Sequence, residues 1–231
     1  MKIDTTYNFQ AETEPHDADR YSTTLQEYHR ILWSKPLPNG KMFELSKISN
    51  NQLYHKSDLG EFYLSSDRAI PTFSKWKKLE HIISQIPKDR LSNFINLAET
   101  IGGIIIWPSN RIGEFQTING ARGFNSKISD RLDLTIECIR RYYLNQESPL
   151  YETFKRYNSF FRLFEDFKGY IGFFLFQDAV SSDYSSVRIA PPFDNFESVP
   201  VPQTVDEYMQ YMNYTEELIK ARNKRIARFG S

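Results

Sequence analysis

Residues 117–141, TINGARGFNSKISDRLDLTIECIRR, concentrate side chains that could bind an anion. The stretch holds four arginines and three carboxylates, and its turn-rich first half leads into a predicted helix. Backbone N–H groups at a helix N-terminus favour negative charge, and guanidinium groups add paired hydrogen bonds to phosphate or carboxylate. We therefore predict a ligand site here, extended toward the N-terminal side by one further arginine. The predicted ligand-binding residues are Arg111, Asn119, Arg122, Lys127, Arg131, Asp133, Glu137 and Arg140.

A helix that begins at residue 130, with Ser129 as its N-cap, would align the charges of this stretch. They fall at offsets 0, 3, 7, 10 and 11, which is one stripe of an α-helix. Apolar residues occupy the other faces, so the helix is predicted to be largely buried. Its charges then either line a polar cleft or form a structural ion-pair network. The aligned residues are Asp130, Asp133, Glu137, Arg140 and Arg141.

Histidines supply the candidates for acid–base chemistry. His29 follows Leu25 by one helical turn, and His55 lies between two predicted strands. Together with Glu137 they are the catalytic candidates, although His29 also fits a hydrogen-bonded position at the edge of the core. Cys138 has apolar neighbours and is predicted to be inert. No histidine pair has metal-site spacing and one cysteine cannot build a zinc site, so we predict no metal. No dinucleotide-binding or P-loop glycine pattern occurs either, and we predict no cofactor.

Composition limits the kinds of partner. The chain of 231 residues has 29 basic and 29 acidic residues, so no global charge favours nucleic acid or an anionic membrane. Its most apolar stretch, residues 160–176, contains charged residues and is too short to span a bilayer. A single cysteine excludes an internal disulfide, and the first residues lack a signal pattern. We therefore expect a cytoplasmic protein that does not bind membranes.

Hydrophobic periodicity predicts a single α+β domain, mainly helical, with a small and mainly antiparallel sheet packed on a helical core. Residues 1–20 are interpreted as an N-terminal extension and residues 181–203 as a Pro/Ser-rich loop. Helices are predicted at residues 23–33, 73–86, 89–101, 129–144, 148–164, 167–180 and 204–228. Strands are predicted at residues 42–48, 61–66 and 104–107, with a short one at 186–190. The predicted mutual core is Phe160, Phe161, Phe164, Phe173, Phe174, Leu132, Ile136 and Ile139.

The order of several motifs resembles that of a bacterial family known only as a conserved domain of unknown function. The motifs are YHRILWSKPLPNG, LSSD, IGGIIIWP, ARGFNSKISDRLDLTIECIRRYY, SPL, DFKGYIGFFLFQD, YSSVR and ARNKRI. The resemblance covers residues 5–228. It implies a shared fold, and it implies no activity, substrate or catalytic residue.

Three classes of function remain open on the sequence. The first is a domain that binds an anionic ligand, a nucleotide or a nucleic-acid backbone, at an arginine-rich cleft. The second is a phosphodiester- or nucleotide-processing enzyme that combines a histidine with Asp133 and Glu137. The third is a protein–protein interaction domain that presents Tyr208 and Tyr211. The basic residues between 220 and 228 are interpreted as a solvated helix end, with nucleic-acid contact as the alternative.

Overall fold

A computed structural model describes residues 2–48 and 52–229 and confirms the mainly helical, single-domain α+β class. The first helices are α1 (Phe9–Thr13), α2 (Ala18–Tyr21), α3 (Thr23–Trp33), α4 (Glu80–Ile83), α5 (Lys88–Ala98) and α6 (Ile118–Phe124). The later helices are α7 (Leu132–Tyr143), α8 (Tyr151–Arg156), α9 (Asn158–Phe161), α10 (Phe167–Phe173) and α11 (Val205–Phe229). The strands are β1 (Lys35–Pro36), β2 (Met42–Phe43), β3 (Ser46–Lys47), β4 (Leu53–Ser57), β5 (Gly60–Arg68) and β6 (Ile104–Pro108).

Two antiparallel sheets form among the described residues. Strands β1 and β2 make a small hairpin, and the larger sheet has the order β3-β4-β5-β6. The predicted strand 42–48 is divided into β2 and β3, because the Leu45 N–H between them donates to Ser34 Oγ instead of a strand. The prediction also placed His55 between strands, whereas it lies within β4 and faces the core.

Strand β5 extends beyond its partner β4. The pairing of β4 with β5 runs from Ser57 opposite Gly60 to Leu53 opposite Leu64. Residues 65–68 of β5 continue to pair with β6 on the other side. Among the described residues, no strand covers the β4-side edge of β5 beyond Leu64, and α2 contacts β5 instead.

The predicted core is confirmed. All eight of its residues are buried and belong to one hydrophobic cluster. The N-terminal residues, interpreted as an extension, contribute buried Ile3 and Phe9 to the same cluster. Aromatic rings pack against each other in the part of this cluster around α9 and α10, where Phe160 meets Phe164 and Phe173 meets Phe174 edge to face.

Several predicted helices are shorter than expected because the backbone turns left-handed at their ends. Ser129 and Asp130 have φ of 49° and 63°, so α7 begins at Leu132, and Ser129 does not cap it. Positive φ at Glu165 and Leu175 bounds α10. The predicted strand at 186–190 is absent from the described structure, which has a single bridge between residues 180 and 187 there.

The C-terminal helix α11 is inserted into the core along one face. Tyr208 and Tyr211, predicted to be exposed, are buried and donate their hydroxyls to the carbonyls of Thr72 and Pro71 at 2.6 and 2.8 Å. They are therefore not a partner surface. Among the described residues, no helix has the length and apolarity that a bilayer crossing requires.

Arg222 in α11 is also buried, which corrects its interpretation as part of a solvated helix end. Its guanidinium donates to the carbonyls of Gly102 and Ile104 at 3.0 and 2.7 Å and to that of Phe174 at 3.2 Å. A side chain at Gly102 would lie 2.7 Å from the Ile219 carbonyl, so only glycine fits there. Burial lowers the pKa of Arg222 to about 9. This arginine therefore connects α11 to the start of β6 and to the end of α10.

Candidate functional site

Arg131 is fully buried and uses all of its donors within the protein. Its Nε and Nη2 donate to the two carboxylate oxygens of Asp133 at 3.1 and 2.6 Å. The remaining N–H groups reach the carbonyls of Ala190, Pro192 and Pro200. Since a guanidinium has five N–H groups, no donor is left for a ligand. Arg131 instead holds the loop between α10 and α11 against α7.

Arg122, on α6, is saturated in the same way. Its Nε donates to Thr135 Oγ1 at 2.8 Å, and its Nη1 pairs with Asp67 at 2.6 Å. Its Nη2 donates to the carbonyls of Ala69 and Asp130. The Asp130 carboxylate lies 3.3 Å from Nη1, because the left-handed turn directs it toward α6 and away from the α7 stripe. Both central arginines of the predicted anion site are thus engaged in structural ion pairs.

The rest of the predicted stripe forms a third ion pair at the other end of α7. Glu137 accepts hydrogen bonds from Arg140 and Arg141, each at 2.8 Å. Burial alone would raise the pKa of Glu137, but these hydrogen bonds hold it below its usual value. Glu137 is therefore a paired carboxylate and makes no contact with either candidate histidine.

The remaining predicted ligand residues are scattered. Arg111 is exposed on the loop between β6 and α6. The Lys127 amine donates to the carbonyl of Glu197. Asn119, on α6, is partly buried and lines a polar cleft.

That cleft, which we call the β5-edge cleft, has a volume of about 850 Å³. It lies where β5 extends past β4, between the segment containing α2 and the first turns of α3 on one side and Asn119 of α6 on the other. The residues that define it are Asp17, Asp19, Gln26, Ser66 and Asn119.

Two amide oxygens of the β5-edge cleft lack a partner in the protein. Gln26 Oε1 and Asn119 Oδ1 are both buried and accept no hydrogen bond. Gln26 is only 2% exposed, and its Nε2 donates to the carbonyl of Arg20 at 3.4 Å. Flipping this amide would place its oxygen against that carbonyl, so the acceptor stays directed away from Arg20. Buried acceptors are nearly always satisfied, and these two lack the partner that such groups usually have.

A hydrogen-bond chain from the core reaches the same cleft. Trp33 Nε1 donates to His29 Nδ1 at 3.0 Å, and His29 Nε2 lies 3.0 Å from Ser66 Oγ. Because an indole N–H can only donate, Nδ1 is the acceptor, and the proton of neutral His29 is on Nε2. The lone pair of His29 faces Trp33, so His29 cannot take a proton from Ser66 or from a ligand. His29 is therefore not placed as a general base.

Among the carboxylates of the cleft, that of Asp19 lies nearest to the hydrogen-bond chain that runs from Trp33 through His29 to Ser66. Burial raises the pKa of Asp19 to about 6, while a hydrogen bond from the Ser66 hydroxyl opposes the rise. Because His29 donates to Ser66 Oγ, the Ser66 hydroxyl proton is left to point toward Asp19. The hydrogen bonds from Trp33 through His29 and Ser66 thus orient the Asp19 carboxylate, a hydrogen-bond acceptor, at the wall of the cleft.

His55 is remote from this site. Its Nδ1 lies 2.8 Å from the Glu44 carbonyl and its Nε2 lies 2.9 Å from Ser57 Oγ. The carbonyl can only accept, so Nδ1 carries the proton and Nε2 accepts from Ser57. Its ring also stacks on Phe43 at 4.0 Å. With both nitrogens engaged, His55 fits a structural position in the sheet.

A second group of carboxylates surrounds Arg122. Burial raises the pKa of Asp67 to about 7, in opposition to Arg122 and with a contribution from Asp130. The pKa of Asp130 is also raised by burial. In the described part of the chain, no three histidine, cysteine or acidic side chains converge as metal ligands would.

The burial of His29 leads to a prediction about stability at acid pH. Burial lowers the pKa of His29 to about 3 from 6.5, so the unfolded chain takes up a proton between these values and the native state does not. Stability is therefore lost as the pH falls below about 6.5. This loss of stability amounts to about 1.4 kcal/mol per pH unit, and replacement of His29 by glutamine removes it. We expect the stability difference between wild type and His29→Gln to shrink by roughly 2 to 3 kcal/mol between neutral pH and about pH 4.5.

Urea unfolding at the two pH values measures this change, with exposed His81→Gln as the control. Groups other than the replaced histidine titrate in both proteins and cancel in the difference. A difference that stays constant over the range would contradict a buried neutral imidazole at His29.

Asp19, Gln26 and Ser66 were not recognised as site residues from the sequence. One signal was present, because Gln26, His29 and Trp33 occur at helical spacing among the apolar residues of the α3 segment. A polar group on the buried face of a helix needs a hydrogen-bond partner, and the partner of His29 is Ser66. Asp19 could not be found this way, since its position depends on the contact between α2 and β5.

Comparisons with known proteins give a family and no function. A family model described as a family of unknown function, DUF6994, matches residues 3–226. No curated protein and no solved structure matches the chain.

Proposed function

The chain belongs to DUF6994, a family of unknown function, and we propose that it binds a small ligand rich in hydrogen-bond donors, a sugar, polyol or amine, in the β5-edge cleft. The observation that carries this proposal is the Gln26 amide oxygen, which is buried at the cleft without a partner. Leaving a buried acceptor unsatisfied costs about 1 to 3 kcal/mol, and a ligand donor would recover part of that.

The other groups of the cleft select the same kind of ligand. Asn119 Oδ1 is a second acceptor without a partner, and the Asp17 and Asp19 carboxylates accept when ionised. Hydroxyl and ammonium groups donate to such acceptors. Leu53 and Leu64 provide apolar wall, against which the C–H face of a sugar or an alkyl chain packs.

The charge of the cleft does not favour an anion. It has two carboxylates, Asp17 and Asp19, against one arginine, Arg20. The neighbouring cleft of about 510 Å³ next to Asp130 is also acidic, with three carboxylates against two cations. Since Arg122 and Arg131 are filled by internal partners, the arginines do not supply the positive charge that an anion site needs.

A reducing, cytoplasmic location is retained as part of this proposal. It rests on the single cysteine, Cys138, which is fully buried. Burial raises the pKa of its thiol to about 12, so the reactive thiolate is disfavoured. The Cys138 thiol is therefore suited to packing in the core and not to nucleophilic attack.

The test is Gln26→Met, which removes the amide acceptor at nearly constant volume. Because the acceptor has no internal partner, and because the hydrogen bond that Nε2 donates to the Arg20 carbonyl is long at 3.4 Å, we expect the melting temperature of the free protein to change little. Affinity for the ligand should fall about tenfold, which corresponds to the roughly 1.4 kcal/mol of one hydrogen bond. Thermal-shift screening followed by calorimetry would measure both, using neutral sugars and polyols, amines such as spermidine and glucosamine, and the anions phosphate and AMP.

The matched control is Gln85→Met, at an exposed glutamine whose amide donates to a local carbonyl. It should leave ligand affinity unchanged. Comparison of the sugars and polyols with the amines shows whether the cleft recognises hydroxyl or ammonium donors. If only phosphate or AMP stabilises the protein, or if Gln26→Met destabilises it without changing affinity, the proposal is wrong.

A further inference from the structure

Several hydrogen-bond donors of the β5-edge cleft are used within the protein, whereas two of its buried acceptors are not. The Gln26 amide nitrogen donates to a backbone carbonyl, and the Gln52 amide nitrogen donates to Ser109 Oγ at 2.9 Å. The Ser66 hydroxyl donates to Asp19. The amide oxygen of Gln26, by contrast, has no partner in the protein. A ligand group that only donates hydrogen bonds therefore fits this wall better than a group that must also accept them.

Asp19 and Gln26 belong to one hydrogen-bonded unit at the junction of α2, α3 and β5. Ser66 Oγ lies 3.0 Å from His29 Nε2, and the Ser66 hydroxyl donates to Asp19. Gln26 precedes His29 by about one turn of α3, so the two side chains share a face of the helix. Gln26 Nε2 donates to the carbonyl of Arg20, the residue that follows Asp19. The carboxylate of Asp19 and the amide of Gln26 therefore lie on the same side of the cleft.

The charges around Asp19 are mainly negative. Asp17 precedes it in the α2 segment, Asp67 faces it from β5, and Glu99 faces it from the end of α5. The cation that acts on Asp19 is Arg68 of β5, and Arg68 is paired with Glu99. From α3, Asp19 is approached by the amide and the neutral imidazole described above. A positively charged ligand group would therefore be attracted to this side of the cleft.

The protonation behaviour of Asp19 agrees with this charge distribution. Burial is the largest cause that raises the pKa of Asp19 to about 6, and the charges of Asp17 and Glu99 add to the rise. The pKa is raised although Arg20, which also lines the cleft, is adjacent in sequence. About nine tenths of Asp19 is still ionised at pH 7, without a cation that fully compensates its charge.

Resting on the proposed function of the cleft, we infer that its ligand is an alkylamine bound as the ammonium ion, which donates to the Gln26 amide oxygen and to the Asp19 carboxylate. An ammonium group has three donors and no acceptor. Its alkyl chain packs against Leu53 and Leu64, which line the same cleft. A hydroxyl group could make the same hydrogen bonds, but it brings no charge to Asp19.

The test compares 1,4-diaminobutane with 1,4-butanediol, which has the same carbon chain and hydroxyl groups in place of the ammonium groups. Calorimetry at about pH 7.5 and low salt measures the affinity of the wild-type protein for each. We expect the diamine to bind at least about tenfold more tightly than the diol. Added salt should weaken binding of the diamine and leave that of the diol unchanged.

Asp19→Asn removes the charge and keeps an acceptor for the Ser66 hydroxyl. Because burial disfavours the charge of Asp19, the variant should remain folded, which circular dichroism would verify. Its affinity for 1,4-diaminobutane should fall at least about tenfold, with that for 1,4-butanediol unchanged. Asp206→Asn is the matched control, at an exposed aspartate in the first turn of α11, and should change neither affinity. Wild-type affinity of folded Asp19→Asn for the diamine would overturn the inference.

Acid pH provides a second readout in the wild-type protein. Between about pH 7.5 and pH 5, Asp19 takes up a proton while the diamine stays charged, so affinity for the diamine should fall about tenfold. The decrease should be much smaller in Asp19→Asn. Titration of Asp17, Asp67 and Glu99 occurs in both proteins and cancels in this comparison. An equal decrease in the two proteins would exclude Asp19 as the partner of the ammonium group.

This inference and the proposed function fail in different ways. If the diol binds as tightly as the diamine, and Gln26→Met weakens both, the ammonium ligand is wrong and the cleft site stands. The same conclusion follows if the diamine does not bind while a neutral sugar or polyol binds and is weakened by Gln26→Met. If none of these compounds binds, both proposals are wrong.

Discussion

Replacing Arg131 with glutamine is expected to lower the free energy of unfolding by about 3 to 5 kcal/mol. The change leaves Asp133 almost fully buried without its bidentate partner, and it removes three hydrogen bonds to the loop between α10 and α11. Breaking a buried pair from one side is costly because the remaining charge cannot be solvated. Urea unfolding followed by circular dichroism would measure the loss.

The control for this prediction is Arg140→Gln. Arg140 pairs with Glu137 in the same helix, but its side chain is 18% exposed and Arg141 also contacts that carboxylate. We expect this variant to lose about 1 kcal/mol or less. Ligand affinity of the folded Arg131→Gln protein should match wild type. A stable variant that has lost ligand affinity would instead restore the anion site predicted from the sequence.

Replacing Phe174 with alanine is expected to cost about 3 to 5 kcal/mol. The ring is fully buried and contacts the rings of Tyr170, Phe173 and Trp33 at centroid distances of 4.8, 5.0 and 5.3 Å. These neighbours belong to two helices, so they cannot close the resulting cavity by a shift of one element. Thermal or urea unfolding would measure the loss of stability.

Phe124→Ala is the comparison for this core substitution. Phe124 is 82% exposed at the end of α6, so its removal should change stability by less than about 0.5 kcal/mol. If Phe174→Ala were equally mild, the described packing between α3 and α10 would be incorrect.

The fold class and the core could be predicted because they depend on local patterns. Apolar residues at helical spacing identified α3, α7 and α11, and alternation identified β5. Helix starts were less predictable. The Ser129–Asp130 pair looks like a cap and first turn, but contacts with Arg122 hold it in a left-handed turn, and that arginine is a tertiary neighbour.

The candidate site was harder to predict than the fold. Charge spacing along α7 correctly grouped Glu137 with Arg140 and Arg141, since these contacts lie within one helix. The partners of Arg122 and Arg131 include Asp67 and the carbonyls of Ala190 and Pro200, which are distant in sequence. Because these partners cannot be identified from the sequence, an arginine whose donors are all used inside the protein cannot be distinguished there from one that binds a ligand.

The attachment of α11 to the start of β6 has a consequence for synthesis on the ribosome. Arg222 binds the Gly102 carbonyl 120 residues earlier in the chain, and Ile219 packs directly on that glycine. At roughly 5 to 20 residues per second, translation takes several seconds to supply this helix after β6 has emerged. During that interval the β6 carbonyls and the aromatic core lack their cover. We expect the nascent chain to depend on chaperone protection until Arg222 is made, and to fold largely after translation.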